Sequence, residues 1–250
     1  MIKRLFFISF ILLFCGALPT SALSLEEISR LNQNTVVTVN VLRADGKTAS
    51  ATGFVISPQG YIATAAHALD KAKLVNLTFS NGAISEEART VAVSKKPRID
   101  LAILQVSVNY LPSVTFKNSN TVQAGQQIAV IGSPKRLQNS ITNGLVSQLR
   151  NVDDVTLFQI SAPISPSSSG SPVFNEAGQV VGIAVSSLEE EKVQNINFAL
   201  PANYLLQMMS ENQITPQIAK GKEPNKVQKY FQTIIEHIRK CWRIFKSKFA

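Results

Sequence analysis

Short runs rich in Val, Ile, Thr and Phe, each ended by turn residues, follow one another from residue 35 to residue 200. Apolar and polar positions that alternate within such runs have the two-residue period of a half-buried strand. Strands are predicted over 35–42, 50–57, 61–64, 74–79, 89–94 and 101–106. After a Pro- and Asn-rich link at 112–120, a second set is predicted over 127–131, 144–149, 157–161, 172–174, 180–186 and 195–200. Asp45-Gly46, Pro58-Gln59-Gly60, Asn81-Gly82 and Ala177-Gly178 supply turns, because Gly takes a positive φ without steric cost and Asn and Asp favour turn geometry. Helical signals are few. Ser24-Leu25-Glu26-Glu27 reads as a capping box that opens a short helix, and a second helix is expected from Pro201 through Met209. The pattern is all-β, at a strand spacing that suits closed antiparallel barrels or a sandwich. It divides into halves at 23–113 and 114–205, each large enough for a core of its own.

The two ends differ from this body. Lys3 and Arg4 precede an apolar run over 5–18, and Pro19-Thr20-Ser21-Ala22 follows it. A charged start, an apolar stretch and small residues make a secretory signal, expected over 1–22 with cleavage after Ala22. The run is short for a membrane span, although a retained anchor is the alternative. Export to the periplasm or beyond is therefore expected. At the other end, Val227, Tyr230, Phe231, Ile234, Ile235, Ile238 and Trp242 fall at helical spacing, so 206–250 is expected to be a helical, amphipathic tail.

Charge matters chiefly there. The net charge is +9, yet 216–250 holds nine Lys and Arg against two acids, Lys3 and Arg4 supply the rest, and the body between is neutral. The basic character thus belongs to the tail. Either the tail helix closes over a barrel, or 224–250 lies on an anionic membrane surface. No nucleic-acid motif is visible, and nucleic acid is not an expected partner. Composition excludes a disordered chain and a coiled coil, at 45% apolar and 16% charged residues. Cys15, Cys241, His67 and His237 are too few for a thiolate or His-rich centre, so no metal or cofactor is expected.

Three strings carry the candidate chemistry. Gly53-Phe54-Val55-Ile56 leads through a turn to Thr64-Ala65-Ala66-His67; Asp100-Leu101-Ala102 follows; then comes Ser165-Pro166-Ser167-Ser168-Ser169-Gly170-Ser171-Pro172. Their order, His then Asp then Ser, resembles the trypsin-like serine proteases with a chymotrypsin fold, and most of all the bacterial HtrA/Deg-type branch. Asn197-Phe198-Ala199-Leu200-Pro201 is similar to a further string of that branch, and the resemblance covers about 25–205. It implies two six-stranded antiparallel β-barrels, with the active site in the cleft between them. It implies Ser169 as nucleophile, His67 as its base and Asp100 as the acid that orients the imidazole. The N–H groups of Ser167 and Ser169 would form the oxyanion hole. Asp70, three residues beyond His67, is the competing acid and reads as a helix-end or surface charge. In the family register Pro163 floors the primary pocket without a charge, which implies a small or medium apolar residue before the scissile bond. Val185, Ser186 and Ser187 would form the wall on which an extended substrate adds as a strand.

Two departures qualify the resemblance. The family has Gly where Ser167 and Ser171 stand, and the first lies in the oxyanion loop. Position 168 is Ser rather than the Asp of digestive trypsins, so activation by a new N-terminus is not expected. The 49 residues after Pro201 read as helical, so no peptide-binding PDZ module is expected. The sequence therefore reads as an exported serine endopeptidase acting on polypeptides through an acyl-enzyme. The rival reading is a catalytically weak trypsin-like fold that binds polypeptides as a chaperone or adaptor at the membrane.

Overall fold

The computed structural model describes residues 22–85, 87–96, 98–133, 140–165, 167–185 and 197–219. The expected signal over 1–21, the tail from 220 onward, and Ser186 and Ser187 lie outside the described residues. The described residues up to Gln217 pack as one compact unit.

Helix α1 (Leu25–Asn32) begins at the capping box: the Ser24 hydroxyl accepts the Glu27 N–H at 3.1 Å, and the Glu27 carboxylate accepts the Ser24 N–H at 2.8 Å. Two N–H groups that a helix start leaves orphaned are thus satisfied. The helix buries Ile28 and lies against strands of the second sheet.

The first sheet comprises β1 (Val36–Arg43), β2 (Thr48–Ser57), β3 (Tyr61–Thr64), β4 (Ala72–Thr78), β5 (Arg89–Val93) and β6 (Ala102–Gln105), in the order β4-β1-β2-β3-β6-β5. Every pairing in it is antiparallel. Its ladder does not close into a ring. The segment between β4 and β5 bridges the gap instead: the Ser85 N–H donates to Leu77 O at 2.8 Å and the Ala88 N–H to Val75 O at 2.7 Å.

The second sheet comprises β7 (Thr115–Phe116), β8 (Gln127–Gly132), β9 (Ser140–Val152), β10 (Val155–Ile160), β11 (Pro172–Phe174), β12 (Val180–Val185) and β13 (Asn197–Pro201). The ring β11-β8-β9-β10-β13-β12 closes because β12 also pairs with β11. One barrel is therefore closed and the other is a six-stranded half-barrel. Helix α2 (Ala202–Glu211) follows Pro201 directly and packs on β12 and β13.

Most expected strands stand within two residues of their predicted ends. β9 is much longer than the 144–149 expected, because only Val146 along it is buried and its polar positions hide the strand period. β7 was not expected; it is a two-residue parallel bridge to Val180 inside the Pro/Asn-rich link.

β2 explains why an uninterrupted apolar run can still be a strand. From Ala51 to Ser57 every residue is buried. Phe54 and Ile56 face a cluster that also holds Phe116, Phe174, Val180 and Leu200, while Val55 faces the first sheet's interior with Val39, Ile62 and Leu77. The Phe54 and Phe116 rings meet at 6.4 Å between centroids, tilted by 53°. Each buried Phe contributes about 1.5–3 kcal/mol, so this contact helps fix the first sheet against the second.

Candidate active site

His67 stands in a single 3₁₀ turn (Ala66–Leu69) that follows β3, and Asp100 stands just before β6. β3 pairs with β6 in the register Thr64↔Ala102, which brings the residues beyond those ends together. The Asp100 carboxylate grips His67 twice: Oδ1 accepts the His67 backbone N–H at 2.8 Å, and Oδ2 lies 2.5 Å from the ring Nδ1. With Nδ1–H donated to Asp100, Nε2 keeps its lone pair, which is the state a proton acceptor needs. Half of the His67 side chain remains exposed.

The Asp100 hydrogen bond is the main cause that raises the His67 pKa above its ordinary 6.5; burial and the Arg43 guanidinium oppose it. For Asp100, burial pushes upward, but the hydrogen bonds from the His67 ring and backbone and from the Ala66 N–H together hold it below 3.8. Asp70 is exposed, and its N–H merely closes the turn onto His67 O at 3.2 Å. The structure thus pairs His67 with Asp100 and not with Asp70.

Ser169 lies on a loop made of two successive turns, Ser168 N–H to Ser165 O at 2.9 Å and Ser171 N–H to Ser168 O at 3.0 Å. Gly170 beyond it has φ +88°, and a Cβ there would stand 2.2 Å from Thr52 O and 2.8 Å from Ala65 N. Only glycine fits. That close approach seats the loop against the segment that leads into His67. The Ser169 hydroxyl makes no hydrogen bond to His67 at rest, and the N–H groups of Ser167 and Ser169 donate to no acceptor among the described residues. Ser167 has φ +74°, the left-handed region that a residue with Cβ enters at a cost. The Ser171 hydroxyl is fully buried and has no hydrogen-bond partner among the described residues.

Pro163 is exposed on the loop after β10, its carbonyl accepting the Thr142 hydroxyl at 3.1 Å. Val185 ends β12 as described, 8% exposed and paired with Phe198. Two residues escaped the sequence reading. Arg43 has no motif around it, and Thr52, one position before the Gly-Phe string, looks like any β-branched strand residue. Yet Thr52 N–H donates to Ser169 O at 3.1 Å, and its hydroxyl to Ser167 O at 2.9 Å.

Known proteins resemble this chain in sequence and in the arrangement of its sheets. A DegP-like protein named a probable periplasmic serine endoprotease, from Pseudomonas savastanoi pv. phaseolicola, is 32% identical over 174 residues, covering 68% of this chain and 36% of that protein. The chain thus spans about a third of that relative's length. Among solved structures, a serine endoprotease from Yersinia pestis superposes with a TM-score of 0.65 at 27% identity, covering 78% of this chain and 68% of that one. The HtrA-type protease AlgW with a tripeptide superposes at 0.67 and 24% identity, covering 75% and 63%; at that identity the likeness is one of fold. The trypsin-like peptidase domain as a family matches residues 51–183, from the middle of β2 to the middle of β12. Because that match spans just over half of the sequence and both sheets, the chain belongs to the trypsin-like peptidase family.

Proposed function

We propose that this chain is an exported serine endopeptidase that cleaves polypeptides through His67, Asp100 and Ser169. The observation that carries the reading is the double grip of Asp100 on His67, which leaves Nε2 as the free base. The seating of the Ser169 loop against Ala65 supports it. So do relatives named serine endoproteases. Export rests on the charged and apolar start of the sequence and on a relative named periplasmic.

In this mechanism Ser169 Oγ attacks the scissile carbonyl carbon while its proton passes to His67 Nε2. The carbonyl π pair moves onto oxygen, where the N–H groups of Ser167 and Ser169 receive it. Each such donor is worth about 2.7–4 kcal/mol of transition-state stabilisation. Asp100 stabilises the imidazolium and keeps its proton on Nδ1. The C–N bond then breaks, the amine leaves with the proton from Nε2, and Ser169 holds the acyl group. Water, deprotonated by the same nitrogen, releases it. The serine–histidine contact, open at rest, tightens when substrate binds. An uncharged Pro163 at the pocket floor selects small or medium apolar residues before the scissile bond.

A fluorophosphonate probe tests this, since it labels an activated serine. Labelling of the purified chain that disappears in Ser169→Ala is the expected result. No labelling of the unaltered chain would instead favour a polypeptide-binding role without catalysis.

A further inference from the structure

Thr52 sits in the middle of β2, fully buried, and three of its four polar contacts reach outside the β2–β3 hairpin. Its hydroxyl donates to Ser167 O at 2.9 Å and accepts the Ser133 N–H at 3.0 Å. Its backbone N–H donates to Ser169 O at 3.1 Å. Its carbonyl accepts the Thr64 hydroxyl at 2.8 Å. Ser133, just past β8, is held in turn, its hydroxyl 2.5 Å from that of Thr38 across from Thr52 on β1. The Thr52 hydroxyl therefore has one donor and one acceptor partner and no freedom to rotate. A residue of the first sheet grips the carbonyls of Ser167 and Ser169, the two residues whose N–H groups face the substrate oxygen under the proposed function.

We infer that Thr52 is a positioning residue that holds the oxyanion loop in its working geometry. The inference rests on that proposed function and deepens it. Holding Ser167 O fixes the peptide plane after the Ser167 Cα. The φ and ψ angles of Ser167, with φ at +74°, relate that plane to the one that carries the Ser167 N–H. A serine in this region is under strain, and relaxation of φ would swing the N–H away. Glycine would tolerate the conformation unaided; here the restraint comes from the opposite sheet. A second grip on Ser169 O keeps the Ser169 N–H in step with the first.

The test compares Thr52→Val, which keeps the β-branched shape and loses the hydroxyl, with Thr52→Ser, which keeps the hydroxyl. Hydrolysis of a chromogenic peptide and the fluorophosphonate labelling rate are measured beside the melting temperature. Loss of a single oxyanion donor costs about 10²–10³ in kcat; misaiming one predicts about a ten- to hundredfold fall in kcat for Thr52→Val. KM should stay near the unaltered value, binding of a peptidyl boronic acid should weaken in parallel with kcat, and Thr52→Ser should restore both. Unchanged kcat in a folded Thr52→Val, or a loss confined to KM, overturns the inference. If the Val variant does not fold, Thr52→Ser and Thr52→Ala decide it: equal kcat in those two overturns the clamp, and a tenfold gap supports it. An unaltered chain that hydrolyses nothing and takes no label sinks the proposed function itself, and the clamp with it; a reactive chain indifferent to the Thr52 hydroxyl sinks the clamp alone.

Discussion

The two halves of the candidate site are held in place by different physics. On the first sheet, His67 and Asp100 have ordinary backbone angles and are joined by two hydrogen bonds to a carboxylate, one of them from the ring. On the second, the serine loop carries a non-glycine residue at φ +74°, a glycine that nothing could replace, and a buried hydroxyl with no partner among the described residues. His67, the proposed base, is fixed from within by its own charge-assisted contact, which is about twice as strong as a neutral one. The Ser169 loop is fixed from without, by a strand of the other sheet. Damage to the first half should therefore show in protonation and chemistry, and damage to the second in geometry and strain.

The largest loss is expected from removing either partner of the proposed proton transfer. His67→Ala and Ser169→Ala should each lower peptide turnover by about 10⁶-fold, since such residues act as a unit. Their circular dichroism spectra should not change. The double variant should be no worse than either single one.

Asp100→Asn comes next and tests the first half alone. It should lower kcat by about 10⁴-fold, by disfavouring the tautomer with the free Nε2. A comparable loss in Asp70→Asn would contradict the pairing seen here. The pH profile sharpens the same point. His67 is raised above 6.5, mainly by its hydrogen bond to Asp100, and only neutral His67 accepts a proton. The acid limb of kcat/KM should thus have its midpoint above 6.5, and the Asn variant should move it downward.

Stability runs the opposite way. A raised His67 contributes stability that is fully present below 6.5 and lost as pH rises through its folded value. A lowered Asp100 contributes stability that is present above 3.8 and lost as pH falls through its folded value. The pair stabilises most in the window where the base is silent, and pH-dependent unfolding of wild type against Asp100→Asn measures that window.

Smaller effects belong to the second half. Ser167→Gly relieves a left-handed serine, a strain of about 1–3 kcal/mol, against a chain-entropy cost of about 0.5–1 kcal/mol. A net gain of about 1 kcal/mol in denaturant unfolding is expected, and a loss of stability would mean that the conformation carries no strain. Ser171→Ala removes an unpaired buried hydroxyl and should leave stability unchanged or raise it by about 0.5–1 kcal/mol. A loss of several kcal/mol would reveal a partner for that hydroxyl.

These asymmetries also separate what the sequence shows from what it hides. Strand positions were legible where burial alternates or where a run such as Phe54 to Ile56 is buried on both faces. β9 was not, because pairing with two neighbours stabilises it without an apolar period. The His, Asp and Ser strings stand out because their neighbours are distinctive. The glycine-like conformation of Ser167 is hinted at only by the residue that the family places there. Thr52 is silent, since a hydroxyl that reaches across sheets leaves no trace in spacing. The open edge between β4 and β5 is equally invisible, as local sequence does not report whether a distant edge meets.

Ring closure in the second sheet has a kinetic consequence. The serine loop runs straight into β11, whose partners are β8, through Val173↔Val130, and β12. Val173 and Val130 are more than forty residues apart in sequence. Such a pairing bears a large loop-closure entropy and forms late in folding compared with a local hairpin like that of β9 and β10. Until β11 docks, the Ser169 loop lacks its anchor on one side. The pairing of β3 with β6 that brings His67 and Asp100 together, Thr64↔Ala102, spans a comparable stretch of chain, so both halves of the candidate site wait on a long-range pairing. Chain order thus makes the candidate site as a whole one of the last parts of the fold to set.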